Sequence, residues 1–372
     1  MFHKTTLLTA VLLFACLPCN PAFGMDVGSV TDLQTLKKQQ QIGITPREFA
    51  EQQQANTDSP KTFLINRGNA LFGIPMLAVS ESQLQDYGVD QVEGDPYWDS
   101  YGTGALYTGP SGDSVLGGQL WHVNFASKTR TRLTDGVCIP SPGYNGADWK
   151  CSYSTPVAAQ SGNLAFIQQV AMTNHGPPEE VHFHIVIASG GSAAVAIVSD
   201  KQPDHLDWSP DGQWLLFADG NEMVTISIDG KICPLTGFET TVVRRPEWGG
   251  GGSQEAIVYS AGGNLWLVPV KAQHRADRCP ELQINNKVQL TDTEFQDERP
   301  QWITNDLIAF VTNRPADATD TTRRKRIWAV NAGTLAASAV VDMPFNIGHT
   351  DWQSSSGTPI ESRTKDAVGK IK

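Results

Sequence analysis

Five ionisable residues recur at one offset in the chain: Asp95, His205, Arg245, Arg299 and His349 each stand three residues ahead of a tryptophan. Guanidinium groups pair with carboxylates through two parallel N–H donors. Imidazoles add positive charge as pH falls toward roughly 6.5. Two arginines, two histidines and an acid gathered in one place would therefore receive a carboxylate or a partner's acidic segment. The alternative is that these positions are solvated and simply tolerate charge. Which applies depends on the elements that carry them.

Those elements form a repeat. The clearest copy runs Leu206–Asp207–Trp208–Ser209–Pro210–Asp211–Gly212–Gln213–Trp214–Leu215–Leu216–Phe217, then Val224 to Ile228, Asp229–Gly230 and Leu235–Thr236. It reads as a strand, a tight Pro-Asp-Gly turn, two further strands, an Asp-Gly turn and a fourth strand. Copies start at Trp98, Val157, Trp208, Trp248, Trp302 and Trp352, with Val157 opening the one that lacks its Trp. Four-stranded repeats of roughly 40–50 residues are the signature of propeller blades, which must stack around an axis to bury their faces. The spacing predicts an all-β, six-bladed β-propeller with the five ionisable residues at one mouth of its channel. After Trp352 no room remains for three more strands. The strand-like runs Thr62–Ile65 and Ile74–Val79 are therefore expected to complete that blade and close the ring by pairing the two ends of the chain.

The run Trp208–Ser209–Pro210–Asp211–Gly212 with downstream Leu235–Thr236 resembles the repeat of TolB-like six-bladed propellers, over residues 62–353. The resemblance implies a bacterial periplasmic protein that works chiefly by binding other proteins. It also marks Asp211 and Gly212 as turn residues and Trp208 as inter-blade packing. TolB itself has a sizeable N-terminal domain, whereas here about 35 polar residues precede the propeller, too few for a domain. A role in the Tol–Pal system is not carried over.

The remaining segments bear on compartment. Residues 1–24 carry His3 and Lys4, an apolar stretch from Leu7 to Leu17, and the small-residue ending Ala22–Phe23–Gly24: a secretory signal peptide. Leu13–Phe14–Ala15–Cys16 resembles a lipoprotein cleavage box, but Phe14 is large for that position, so cleavage after Gly24 is expected. Four cysteines then remain, and in an oxidising compartment an even number reads as disulfides. Cys138 and Cys151 suit a local staple, and Cys233 and Cys279 would bridge neighbouring repeats. Residues 25–60 are polar and Gln-rich. Short helices are expected over Asp32 to Gln40 and from Thr45–Pro46–Arg47–Glu48, on an arm too poor in apolar residues to make a core alone. Residues 354–372 form a polar tail.

With 28 Lys and Arg against 39 Asp and Glu, the chain carries a net charge of -11, which disfavours a nucleic-acid partner. Beyond the leader no apolar run approaches the roughly 20 residues of a membrane-spanning helix. There is no Gly-x-Ser-x-Gly elbow, His-Glu-x-x-His pair, phosphate-binding loop or calcium loop. The Gly249 to Gly252 run opens no helix. His182 and His184 share one face of a strand and could reach one ion, yet two ligands fall short of a site, and polar residues turned from an apolar face explain them equally. The reading is an exported, periplasmic, monomeric propeller without cofactor or metal. It binds a protein or peptide of the cell envelope and is non-catalytic. The alternative is a metal-assisted lyase or hydrolase with its site in the channel.

Overall fold

The turn between Trp208 and Trp214 shows how the repeat builds a blade. Ser209 exchanges backbone bonds with Trp214 and Gly212, and its Oγ donates to Asp211 Oδ1 at 2.6 Å while accepting the Trp214 N–H at 2.9 Å. Gly212 has φ +66°, and a Cβ there would stand 2.6 Å from Ser161 Oγ, so glycine is needed for both conformation and space. Asp-Gly chemistry thus reverses the chain within one turn, as its sequence demands.

The computed structural model describes residues 45–55, 61–110, 118–134, 138–139, 149–172, 180–189, 192–199, 201–235, 241–249, 255–271, 278–316, 319–348 and 350–352. Helix α1 spans Pro46–Ala55. Blade 1 contains β1 (Thr62–Arg67), β2 (Ala70–Pro75) and β3 (Gln85–Asp90). Blade 2 contains β4 (Tyr97–Trp98), β5 (Gly104–Gly109), β6 (Gln119–Asn124) and β7 (Thr129–Arg132). Blade 3 is β8 (Trp149–Ala158), β9 (Leu164–Met172), β10 (Glu180–Ser189) and β11 (Ser192–Ser199). Blade 4 is β12 (Asp204–Trp208), β13 (Trp214–Asp219), β14 (Glu222–Ser227) and β15 (Ile232–Leu235). Blade 5 is β16 (Val243–Gly249), β17 (Glu255–Ala261), β18 (Asn264–Lys271), β19 (Glu281–Leu282) and β20 (Val288–Gln289). Blade 6 is β21 (Asp297–Trp302), β22 (Leu307–Thr312), β23 (Arg326–Asn331) and β24 (Ala337–Val341), and β25 (Asp351–Trp352) returns to blade 1.

Within each sheet neighbouring strands pair antiparallel, and blade 1 has the order β25-β1-β2-β3. Phe63 pairs with Trp352 and Leu64 with Asp351, so the C-terminal strand is innermost in a blade otherwise built from N-terminal residues. The ring is closed by this pairing of β25 with β1. The innermost strands β4, β8, β12, β16, β21 and β25 contact one another in that cyclic order around a channel. The structure is thus all-β and six-bladed.

Alternating apolar residues of neighbouring blades interlock between the sheets. Blades 3 and 4 bury Ile167, Ile185, Leu206, Trp208 and Phe217 together. Trp208 also donates its indole N–H to the Val157 carbonyl at 3.1 Å, tying blade 4 to blade 3. A second close packing explains a glycine: a Cβ on Gly249 would fall 2.3 Å from the Trp302 ring, so blade 6 lays its indole directly on the blade 5 backbone.

The arm differs from the sequence expectation. Thr45 and Glu48 form the expected capping box, with Glu48 Oε2 accepting the Thr45 N–H at 2.9 Å and Thr45 Oγ1 accepting the Glu48 N–H at 3.2 Å. Yet α1 is no idle arm. Its Ala50 is fully buried and its Phe49 partly buried against Ile327, Val341, Met343 and Ile74. Two apolar residues suffice because the blades supply the rest of the core. The signal segment, Cys16, the 32–40 helix, His349, Gly250 to Gly252 and the 354–372 tail lie outside the described residues.

Both cysteine pairs form disulfides. Cys138–Cys151 holds the segment after blade 2 onto β8, so Cys151 sits on a strand rather than in a loop. Cys233–Cys279 joins β15 of blade 4 to the segment preceding β19 of blade 5.

Candidate functional site

In blades 3 to 6 the chain enters the innermost strand through a common local geometry. Thr155, His205, Arg245 and Arg299 have φ of 50°, 60°, 47° and 56°, left-handed values that non-glycine residues rarely take. Each lies where the strand pairing slips, between Ser154 and Val157, Asp204 and Leu206, Arg244 and Glu247, and Glu298 and Gln301. These are bulges, and a bulge re-aims the side chain it carries. They also correct the alignment of the third blade. Thr155–Pro156–Val157–Ala158 matches Arg245–Pro246–Glu247–Trp248, so Thr155 is the entry residue and Ala158 occupies the Trp position.

Three of the predicted residues meet at the mouth. Arg245 Nη2 donates to Asp95 Oδ2 at 2.9 Å, and Arg299 Nη1 lies 3.7 Å from the same oxygen. That distance is too long for a hydrogen bond, and Arg299 Nη1 is buried without a hydrogen-bond partner among the described residues. Burial and the neighbouring Arg245 charge both lower the Arg299 pKa. The entry positions are therefore not simply solvated: the side chains of Arg245 and Arg299 are only 19% and 27% exposed. His205 is buried and turns inward, its Nε2 lying 2.8 Å from Glu247 Oε1.

Two residues further along each strand is a second ring, which the sequence analysis did not single out: Tyr97, Val157, Asp207, Glu247, Gln301 and Asp351. Its signal was available, because side chains two apart share a face of a strand. These residues join blades. Asp207 Oδ2 accepts the backbone N–H of Trp248 and Asp351 Oδ2 that of Trp98, both at 2.5 Å. Gln301 Nε2 donates to Asp351 Oδ1. Between and beyond them lies a cavity of about 320 Å³, bounded by residues of all six innermost strands.

Burial governs the protonation of this ring. It pushes Glu247 up to about 8, with Arg245 opposing, and Asp351 up to about 8. Asp207 is raised well above the ordinary carboxylate range by burial and by Glu247. Burial, reinforced by Arg245, holds His205 down at about 3. Both shifts favour the neutral forms of the two groups in the His205–Glu247 contact.

No protein-family model matches the chain. No curated protein matches it either. Among solved structures it is similar to TolB from Acinetobacter baumannii, at 14% identity over 81% of this chain and 69% of that one, with a TM-score of 0.49. A second is putative TolB from Agrobacterium tumefaciens, at 16% identity over 77% and 91%, TM-score 0.39. A third is oligogalacturonate lyase from Vibrio parahaemolyticus, at 11% over 77% and 83%, TM-score 0.43. The structural neighbours include TolB-like propellers. These likenesses are weak in both sequence and superposition, and the chemistry of the site lies in this chain's own residues.

The histidine pair set apart in the sequence is internal. His182 and His184 are both buried, which corrects the view of them as polar residues turned outward from the core. Gln168 Nε2 contacts His184 Nδ1 at 3.2 Å, and the same carboxamide brackets the Ile139 backbone, its Oε1 accepting at 2.8 Å and its Nε2 donating at 3.2 Å. The network anchors the segment beside Cys138. Burial and His182 hold His184 down at about 4. Among the described residues no three His, Cys, Asp or Glu side chains converge to hold a metal ion. No described helix is long and apolar enough to cross a membrane.

Proposed function

We propose that the protein is an exported, non-catalytic binding module of the bacterial cell envelope, whose propeller mouth takes an acidic segment of a protein partner. The observation that carries this reading is the convergence of Arg245 and Arg299 on a single oxygen of Asp95, with Arg299 Nη1 left without a hydrogen-bond acceptor among the described residues. Two guanidinium groups share one carboxylate, and a second carboxylate would complete their pairing in bidentate fashion. The protonated ring beneath adds little negative charge to oppose it. Two disulfides and the leader-like N-terminal sequence support export. Ligand contacts are assigned to Arg245, Arg299 and Asp95, with His205 and His349 as neighbouring entry residues.

The test is fluorescence anisotropy with a labelled Asp- and Glu-rich hexapeptide, alongside crosslinking in envelope extracts. Binding is expected to weaken with added salt and to fall about tenfold or more in Arg299→Ala, as loss of a charge-assisted hydrogen bond predicts. Undiminished binding by Arg299→Ala overturns the assignment.

A further inference from the structure

The interior of the channel is a second place where polar groups converge, and its chemistry is opposite to that of the mouth. Asp207, Glu247, Gln301 and Asp351 line the 320 Å³ cavity from blades 4, 5, 6 and 1, an arc over four consecutive blades. Its anchoring bonds leave acceptor capacity over. Asp207 uses Oδ2 on Trp248 and also accepts from the Trp208 backbone, Glu247 uses Oε1 on His205, and Asp351 uses one lone pair of each oxygen, on Trp98 and Gln301. Gln301 is only 6% exposed. Its Nε2 is committed to Asp351, and its buried Oε1 has no hydrogen-bond partner among the described residues. A buried acceptor of this kind is uncommon and calls for a donor. Trp98, Trp208, Trp248, Trp302 and Trp352 also border the cavity.

We propose that the channel cavity binds an organic ammonium group, carried by a small amine or by a lysine side chain, with its three N–H donors shared among Asp207, Glu247, Asp351 and the Gln301 carbonyl. The spread of the acceptors favours this ligand over a metal ion. No three carboxylate or imidazole groups among the described residues stand close enough to coordinate one, whereas three diverging ammonium donors need separated acceptors. The volume suits a small group, at the lower end of ligand pockets. Other titratable groups face the arc: Arg245 is paired to Asp95 with Arg299 beside it, Asp99 of the same cavity is paired to His122, burial raises the Tyr97 hydroxyl pKa, and burial lowers that of His205. Burial keeps the empty carboxyls protonated, so a bound ammonium displaces protons and its affinity rises with pH between 6 and 9.

Titration calorimetry on the full purified chain tests this with 1,4-diaminobutane, with butan-1-ol as its uncharged counterpart, and with the peptide acetyl-Gly-Lys-Gly-amide. The diamine or the peptide binds and the alcohol does not, and the two arms identify whether the source is a free amine or a side chain. Asp351→Asn weakens that binding about tenfold, the scale of one charged hydrogen bond. Should that variant fail to fold, Gln301→Glu adds a carboxyl to the same arc and tightens binding. Equal heats for amine and alcohol overturn the proposal. So does undiminished affinity in Asp351→Asn, or in its place unchanged affinity in Gln301→Glu, or calcium chloride binding more tightly than the diamine. Anisotropy with the acidic hexapeptide on the same variant reads the mouth separately, so either assignment can fail alone.

Discussion

Arg245 and Asp95 form an ion pair across the channel, joining blade 5 to the diametrically opposite blade 2 over 150 residues of sequence. The pair therefore does two things at once: it spans the mouth, and it places Arg299 beside a carboxylate that is already engaged.

This separates the two arginines. Arg299→Ala should lose acidic-peptide binding with little change in the thermal midpoint, because its contact with Asp95 is long and partly screened. Arg245→Ala should lose binding and also lower stability by about 1 kcal/mol, because it removes the direct partner of a half-exposed carboxylate. Peptide anisotropy and thermal melts on both variants check this. Equal stability loss in the two would show that both are structural.

Ring closure should be the dominant local contribution to stability. Trp352 is 2% exposed, with its ring centroid 4.6 Å from that of Phe63. Trp352→Ala should cost about 3–5 kcal/mol, as for other fully buried aromatic truncations. Deleting residues 62–79 should leave blade 1 with open edges and cause aggregation, measured by light scattering. Deleting α1 exposes the cluster around Ile327 and Val341, so it should lower the melting midpoint as well, by less.

The channel acids set a pH dependence. Glu247 and Asp351 have folded pKa values of about 8, above their unfolded values, so their stability contribution is full below about pH 4 and is lost as pH rises through 8. His205, depressed to about 3, has the opposite sign: its contribution is present above about pH 6.5 and is lost as pH falls. Melting midpoints from pH 4 to 9 should therefore decline on the alkaline side in the wild type. Asp351→Asn should flatten that decline, and a parallel curve for the variant would refute the assignment.

The two disulfides should differ in weight. The chain-entropy relation gives about 3 kcal/mol for a loop the size of Cys138–Cys151 and about 4 kcal/mol for Cys233–Cys279, whose separations are 13 and 46 residues. Single Cys→Ser pairs compared by denaturant midpoint should rank in that order.

Much of the fold is legible locally. The Pro210–Asp211–Gly212 turn and the tryptophan at five of six repeat starts specify the blades, and the strand-like run at Thr62–Ile65 supplies the partner of Trp352. The entry residues were legible by spacing, yet one register was misread at Val157, because the third blade has Ala158 where the others have tryptophan. The packing of Phe49 and Ala50 was hidden for another reason. A short helix with two apolar residues gives no sign of a core that other strands supply.

Turn chemistry, strand alternation and the count of repeats are properties of neighbouring residues, and by themselves they determined the propeller, its channel and the residues at its mouth. The tertiary structure alone decided which of those residues meet. The bond from Trp98 to Asp351 spans 253 residues and the His205–Glu247 contact 42, and neither leaves any local trace in the chain. Burial then acted on charge: a carboxyl group has its ordinary pKa in an extended chain, and only enclosure by six blades pushes Glu247 and Asp351 up to about 8.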